Sequence, residues 1–253
     1  MKRFLFIAIA SLFGLQSMQA QEEFGVFDHL GAGISIGLDG IGFDLAAPLT
    51  DWAAVRAGMS IMPGVKYNDD VDIDSNSKSI TKKQVNVEGK LKMSDFKLLV
   101  DFYPIKSSSF HLTAGAYIGQ KKLIELYNTE EFIAREDWGS AGIKLGDYRV
   151  TSDDEGNVKA NIEVAGFKPY LGIGFGRAVP KSNISVSCDL GVKFWGSPGV
   201  YTWTTDNFGN RVYNKITKED ANTDNKDAND AFDILSKITV FPVLNIRICG
   251  RLF

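Results

Sequence analysis

The sequence predicts an all-β fold: a single antiparallel, up-and-down transmembrane β-barrel of eight strands. Three observations support this prediction. Eight stretches alternate apolar residues with small or charged ones, as strands with two different faces do. Their connections are short at one end of the predicted sheet and mostly long at the other. The apolar faces carry almost no charge, so a protein in water would rarely expose them.

The first twenty residues differ from the rest of the chain. A basic start, MKR, precedes the apolar run FLFIAIASLFGL and the polar tail QSMQA. This order predicts a secretory signal peptide over residues 1–20, and the run is too short to span a bilayer as a helix. The barrel domain is then expected over residues 21–253. Loss of Lys2 and Arg3 changes the formal charge from −3 to −5, which argues against nucleic acid as a partner.

A glycine-rich hairpin at residues 169–196 sets the pattern for the whole chain. The piece GIGFG looks like a phosphate-binding loop, but the third glycine of a dinucleotide fingerprint would fall on Arg177, and a turn follows instead of a helix. Alternation explains the residues better. Leu171, Ile173 and Phe175 share one face of a strand, and the glycines share the other with Tyr170.

The same alternation extends along the chain. It predicts strands at about 27–37, 41–47, 52–62, 85–103, 110–126, 160–177, 183–195 and 236–253. The pattern changes phase near residues 93–95, which predicts a β-bulge there.

The lengths of the connections depend on which strand they follow along the chain. Short turns, PLTD, PIKSSS and AVPKSN, follow the second, fourth and sixth strands. The segments 63–84, 127–159 and 196–235 are long and polar, and we interpret them as solvated loops. This division is typical of an outer-membrane barrel, whose turns face the periplasm and whose loops face outward.

The polar faces of the strands carry charges interleaved with glycines. In a narrow lumen the glycines would make room for long side chains from neighbouring strands, and the charges would have to pair because an unpaired buried charge is costly. We therefore predict a structural charge network in the lumen, formed by Asp44, Arg56, Lys97, Asp101, Asp189, Lys193, Arg247 and Arg251.

Aromatic residues cluster where strands meet connections. One predicted interface belt lies near the short turns and the other lies near the long segments. The first contains Trp52, Phe102, Tyr103, Phe110, Phe175 and Phe253, and the second contains Tyr127, Trp195, Tyr201 and Trp203.

Few residues suggest chemistry. His29 and His111 are both predicted on the lumen face, which does not suit a lipid-modifying enzyme. Cys188 is predicted to face outward and Cys249 inward, so we expect two free thiols. The acidic stretches 151–158 and 219–233 lack the spacing of an EF-hand and are interpreted as solvated loops. We expect no catalytic residue, metal or cofactor.

The signal peptide, the order of strands and short turns, and the terminal strand ITVFPVLNIRICGRLF together resemble the small eight-stranded outer-membrane β-barrels, the OmpX-like and OmpA transmembrane-domain group. The resemblance implies an outer-membrane location and contact with its lipid. It also implies that a terminal aromatic, matched by Phe253, is the assembly signal that the barrel-insertion machinery reads. Phe253 shares the parity of Arg251 and not that of the apolar face, so this match is imperfect.

Three functions remain open from the sequence. The leading hypothesis is a non-enzymatic outer-membrane barrel with a structural or surface-interaction role, whose long acidic loops meet a partner that the sequence does not identify. One alternative is a narrow OmpW-like transporter of small hydrophobic molecules. The other is a soluble secreted lipocalin-like ligand-binding barrel, which requires an apolar interior and a polar exterior.

Overall fold

The protein is described by a computed structural model over residues 25–73, 78–139, 141–145, 148–206, 208–217 and 226–252. The predicted signal peptide and Phe253 lie outside these residues. The strands are β1 Gly31–Gly37, β2 Gly40–Thr50, β3 Ala53–Asp72, β4 Gln84–Phe102, β5 Phe110–Gly119, β6 Lys122–Asn128, β7 Gly142–Leu145, β8 Tyr148–Thr151, β9 Lys159–Glu163, β10 Phe167–Phe175, β11 Ile184–Phe194, β12 Gly199–Thr205, β13 Arg211–Ile216 and β14 Val240–Arg251. A 3-10 turn covers Arg135–Asp137, and helix α1 covers Lys226–Lys237.

Eight of these strands close into a ring. Each pairs antiparallel with its neighbours in the order β1, β2, β3, β4, β5, β10, β11, β14, and β14 pairs back onto β1. Gly31 opposite Arg251 fixes the closing register. The predicted fold class, an antiparallel up-and-down barrel of eight strands, is confirmed.

The two faces of the ring carry opposite chemistry. Charged side chains are buried inside, whereas large apolar side chains cover the outside and are exposed. This is the arrangement of a barrel whose outer surface meets lipid, and it is the reverse of a lipocalin-like barrel, so that alternative is wrong. The exposed apolar residues include Ile34, Ile36, Phe43, Leu45, Met59, Phe96, Leu98, Leu112, Ile118, Leu171, Ile173, Leu190, Leu244, Ile246 and Ile248.

The interpretation of residues 63–84, 127–159 and 196–235 as solvated loops was wrong for much of their length, although 152–158 is a turn, in agreement with the interpretation of 151–158 as loop. Strands β3 and β4 continue beyond the ring, and β4 there exchanges its neighbour β5 for β6. Strands β9, β12 and β13 add to β6 in turn, and β7 and β8 join through β12. We call this layer, with residues 65–72 of β3 and 84–91 of β4, the extension sheet. Hydrogen bonds between strands satisfy the backbone N–H and C=O groups of these polar segments. A search for hydrophobic periodicity alone does not reveal such pairing.

Two of the predicted strands are each divided into two separate strands in the structure. The segment 110–126 divides at Gln120 into β5 and β6, and 160–177 divides at residues 164–166 into β9 and β10. In each case the first half belongs to one sheet and the second half to the other. A bulge lies close to the position expected near residues 93–95, but its extra residue is on the partner strand. Between the pairs Met62–Met93 and Val65–Leu91, two residues of β3 lie opposite Lys92 alone.

The acidic stretch before the last strand also differs from its interpretation as loop. Residues 226–237 form α1, and 219–225 lie outside the described residues. Within the described ranges, no helix is both long enough and apolar enough to cross a bilayer.

Candidate functional site

The lumen holds two layers of buried ion pairs, and the lower layer lies nearer the short turns. The Arg56 guanidinium meets Asp101 at 2.8 Å and Asp189 at 3.0 Å. Asp189 also meets His111 Nε2 at 2.9 Å, and Thr113 donates a hydrogen bond to Asp101 at 2.8 Å. These contacts link four strands, β3, β4, β5 and β11, through side chains.

Asp44 is the centre of the second half of the lower layer. Arg247 meets its Oδ1 at 2.6 Å, and Lys97 meets its Oδ2 at 3.0 Å. Arg247 also donates to the backbone carbonyl of Ala178 at 3.2 Å. Several fixed acceptors offset part of the free-energy cost of removing this guanidinium from water.

The upper layer lies toward the extension sheet. Lys168 meets Asp95 at 2.6 Å, and Lys193 meets Asp95 at 3.3 Å and Asp39 at 3.2 Å. Together the two layers hold five cations (Arg56, Lys97, Arg247, Lys168, Lys193) and five carboxylates (Asp44, Asp101, Asp189, Asp39, Asp95). Their formal charges therefore cancel when His111 is neutral.

Sequence reasoning missed three members of the upper layer. Asp95 has the parity of Lys97, and Lys168 has the parity of Tyr170, so alternation alone would have placed both inside. Asp39 lies outside every predicted strand, in the turn between β1 and β2, and it is 2% exposed because that turn lies over the lumen.

An uncharged layer separates the two charged ones. Tyr117 and Tyr170 pack edge to face with ring centroids 5.4 Å apart, and they form a buried cluster with Leu99 and Val243. Lys193 Nζ lies 3.9 Å from the Tyr117 ring centroid, which adds a cation–π contact. A cavity of about 10 Å³ remains beside this layer, room for roughly one water molecule.

The glycines of the polar face leave space for these side chains, as predicted. A Cβ at Gly33 would lie 2.3 Å from Arg247 Nε, and a Cβ at Gly174 would lie 2.3 Å from His111 Nε2. A Cβ at Gly191 would lie 2.4 Å from the Tyr170 hydroxyl. In each case the long side chain comes from the neighbouring strand, so the glycine leaves room for that side chain to lie along the inner wall.

The turn between β10 and β11 closes the lower end of the lumen. Ala178 and Val179 are buried with Ala46, Ala54 and Tyr103. The backbone N–H of Ala178 donates to the Tyr103 hydroxyl at 2.8 Å. Arg177 lies 4.8 Å from the Tyr103 ring, so this turn folds into the mouth of the barrel.

The aromatic belts are only partly as expected. Trp52 and Phe102 are exposed on the outer surface and pack edge to face at 5.4 Å. Tyr103 and Trp195 were assigned wrongly to the belts. Both have the parity of the lumen charges, and both are buried inside. Trp195 packs on Phe241 at 5.0 Å and donates to the carbonyl of Ile238 at 2.7 Å.

The remaining candidates lie as follows. Cys188 is half-buried, Cys249 is buried inside the barrel, and both are free thiols, as predicted. His111 is buried in the lumen and His29 is half-buried before β1. Arg251 is half-buried at the lower rim opposite Gly31 and makes none of the ion pairs of the two layers described above. Within the described part of the chain, no group of three His, Cys, Asp or Glu side chains is placed to hold a metal ion.

The extension sheet presents an aromatic and charged outer face. Tyr213 stacks on Tyr201 with centroids 5.8 Å apart and packs against Trp203 at 5.3 Å. Its hydroxyl donates to Glu163 at 2.5 Å and accepts from Asn161 at 2.9 Å. Burial, and then the hydrogen bond to Glu163, raises the pKa of Tyr213 well above its ordinary value.

Two carboxyl groups, Glu88 in the extension sheet and Asp153 in the turn between β8 and β9, have lowered pKa values and are therefore held in the charged form. A hydrogen bond from Tyr127, followed by one from Lys66, lowers the pKa of Glu88. Burial opposes ionisation of Asp153, but hydrogen bonds from Lys159 and from the backbone of Asn157 and Glu155 outweigh it and lower the pKa of Asp153. These contacts fix the geometry of the strands and of the β8–β9 turn.

Comparison with known proteins finds similarity in structure alone. No protein-family model matches the sequence, and no curated protein matches it. The crystal structure of CarO2 from Acinetobacter baumannii is similar with a TM-score of 0.46 and 14% identity, over 91% of this chain and 100% of that one. That of CarO from the same organism has a TM-score of 0.45 and 16% identity, over 87% and 96%. The assignment of the barrel therefore depends on its own strand pairing.

Proposed function

We propose that the chain is a non-enzymatic outer-membrane protein whose barrel does not conduct solutes and whose extension sheet acts as a rigid surface for interaction outside the membrane. One observation carries the proposal: the closed ring has an apolar exterior and a filled, charge-balanced interior, and a second sheet continues from one end of it. The barrel is then the anchor and the extension sheet is the part that meets a partner.

The dimensions of the ring support a location in the membrane. Strands β5, β10, β11 and β14 have 10, 9, 11 and 12 residues, close to the roughly 9–11 residues that a tilted strand needs to cross a bilayer. Their outward side chains are mostly apolar. We place the short turns in the periplasm and the extension sheet outside the cell.

The filled lumen argues against the OmpW-like transporter. Such a function needs an apolar path or a lateral opening, whereas Lys168, Lys193 and Asp95 are buried across the upper lumen and Arg56 and Arg247 are buried below them. A small hydrophobic molecule would have to break both ion-pair layers to pass.

The surface for interaction is a sheet and not a set of acidic loops. Its outer face combines the Tyr201, Trp203 and Tyr213 rings with cations and carboxylates, including Arg211, which lies 5.3 Å from the Trp203 ring. Aromatic rings and arginine are enriched at the centres of protein interfaces.

The termini complete the proposal. Residues 1–20 direct export and are removed, and Phe253 is read by the barrel-insertion machinery, as in the OmpX-like and OmpA group that the sequence resembles. The eight structural residues predicted from the sequence act in barrel assembly and stability, with Arg251 at the rim.

The proposal is tested by fractionation together with heat modifiability. We expect the protein in the outer-membrane fraction, with an unboiled band that migrates faster in SDS than the boiled one. Protease added to intact cells should then cut the extension sheet and leave the barrel protected. A protein recovered from the periplasm or the medium, with no shift between the two bands, would overturn the proposal.

A further inference from the structure

The inner face of the extension sheet contains an apolar pocket. This face continues the lumen side of β4, because Val85 and Val87 have the same parity as Lys97 and Asp101 within that one strand. The pocket has a volume of about 200 Å³, and its walls include Val85, Val87, Leu126, Phe132, Val158 and Ala160. It lies beyond the ion-pair layers of the lumen and is separate from the lipid-facing surface.

Backbone pairing fixes the walls of the pocket on both sides. Strands β4, β6 and β9 form the floor, with Gly89 opposite Leu126 and Leu126 opposite Ala160. The segment that carries Phe132 forms the opposite wall. It is held by hydrogen bonds from Thr81 N–H to the Phe132 carbonyl at 2.8 Å and from Ala134 N–H to the Ser79 carbonyl at 2.9 Å. The pocket is therefore preformed.

The polar groups beside the pocket are already paired with the protein. The Asn128 amide donates to the carbonyl of Glu130 at 2.9 Å, and its oxygen accepts from the backbone N–H of Val158 at 2.7 Å. The Tyr127 hydroxyl bonds to Glu88 on the outer face. A charged ligand would lose its hydration here and gain no new partner, which is costly.

We propose that the apolar pocket binds one small, uncharged apolar molecule with the size of a substituted benzene ring. An apolar cavity of about 150 Å³ in another protein stays dry and binds benzene, so a volume of about 200 Å³ fits a single ring with a small substituent. Pockets for small molecules are mostly apolar and largely preformed, as this one is. The pocket is too small to hold a helix or a strand of a protein partner.

Nuclear magnetic resonance of the protein in lipid nanodiscs, with labelled Val, Leu and Ile methyl groups, tests the proposal. The probe is toluene, and benzoate is the charged ligand of the same ring size. We expect toluene to shift the methyl signals of Val87, Leu126 and Val158 until they saturate. The lipid-facing methyls of Leu171 and Ile248 should shift linearly, because toluene also partitions into the bilayer. Benzoate should give no saturable shift.

A matched pair of variants locates the binding. Ala160→Phe fills the pocket and should weaken toluene binding at least tenfold. Glu125→Phe places the same ring on the opposite face of neighbouring β6, since Glu125 alternates with Leu126, and should leave binding unchanged. Both variants are compared only if they keep the faster unboiled band of the folded barrel.

A second variant covers the case in which Ala160→Phe does not fold. Leu126→Ala enlarges the pocket and should let naphthalene, which has two rings, bind more tightly than it binds the wild-type protein. The proposal is overturned if the pocket methyls follow the linear behaviour of the lipid-facing ones, if benzoate saturates them equally, or if neither variant changes the preference for toluene over naphthalene.

Discussion

Arg56 and Asp189 lie on diametrically opposite strands of the eight-stranded ring, β3 and β11, and their side chains meet at 3.0 Å. The hydrogen bonds of the wall connect only neighbouring strands. This ion pair therefore ties together two strands that the backbone joins only through three intermediate strands on either side.

Removal of one partner of this ion pair should destabilise the barrel strongly. Asp189→Asn leaves Arg56 with Asp101 alone and leaves His111 without its carboxylate. We expect the free energy of unfolding to fall by about 3 kcal/mol, because an incompletely paired buried charge remains. Guanidinium unfolding of the protein in lipid measures this. Arg135→Ala, which breaks an exposed ion pair with Glu131, is the control and should cost about 0.5 kcal/mol or less.

The cost of adding a methyl group at a strand glycine should depend on whether a long side chain lies close to that glycine. Gly33→Ala places its Cβ 2.3 Å from Arg247 Nε and pushes that side chain from Asp44. We expect a loss of about 1–3 kcal/mol in the free energy of unfolding. Gly250→Ala meets nothing closer than 3.6 Å and should cost nothing. Equal losses for the two variants would show that replacing any strand glycine lowers the free energy of unfolding, whether or not the new methyl group meets a side chain in the lumen.

The uncharged layer should contribute to the barrier against solutes, together with the two ion-pair layers. Wild-type protein in a planar bilayer is expected to give no stable conductance, because Tyr117 and Tyr170, on the neighbouring strands β5 and β10, are buried in the lumen and pack against each other. The double variant Tyr117→Ala, Tyr170→Ala removes both rings and should give small, discrete channel openings. The single exposed-surface variant Trp52→Ala is the control and should stay silent. Stable wild-type channels would contradict a filled lumen.

The turn that joins β8 to β9 should loosen only at low pH. Asp153 accepts hydrogen bonds from the backbone N–H groups of Glu155 and Asn157 at 3.0 Å and 2.8 Å. Because the pKa of Asp153 is lowered in the folded state, its contribution is present above the ordinary carboxyl pKa and is lost as the pH falls through the lowered value. The protection factor of the Asn157 amide, which is its exchange rate relative to the unstructured rate at the same pH, measures this. Asp153→Asn should remove the pH dependence of that protection factor.

The sequence predicted the barrel well because a lipid-facing strand has two chemically distinct faces. The parity of Lys97, Asp101 and Lys193 was enough to separate inside from outside. Where the predictions were wrong, the position of an aromatic residue at a strand end had been given more weight than the face of the strand on which alternation places that residue. Tyr103 and Trp195 lie at strand ends, where aromatic belts are expected, yet they follow the parity of the lumen and are buried there.

The extension sheet could not be predicted in the same way. In water a strand needs no continuous apolar face if its backbone is paired and part of its surface is covered. Strand β12 pairs with β9, β13 and β8, but its residues alternate Thr with aromatic side chains and include Gly199. The apolar pocket was hidden for a related reason: Phe132 comes from a segment without periodicity, and that segment is held by backbone hydrogen bonds with Ser79 and Thr81.

Strands β3 and β4 pass from the ring into the extension sheet without a break, over 20 and 19 residues. No loop separates the two parts along this hairpin, and the pairing of β3 with β4 continues from the ring into the extension sheet with one register shift between Met62 and Val65. A partner that pulls on the extension sheet would load the barrel along the strand direction, with many backbone hydrogen bonds sharing the force in shear. The extension sheet could then tilt only if the whole barrel tilts with it, and contact outside the membrane would set the orientation of the protein within it.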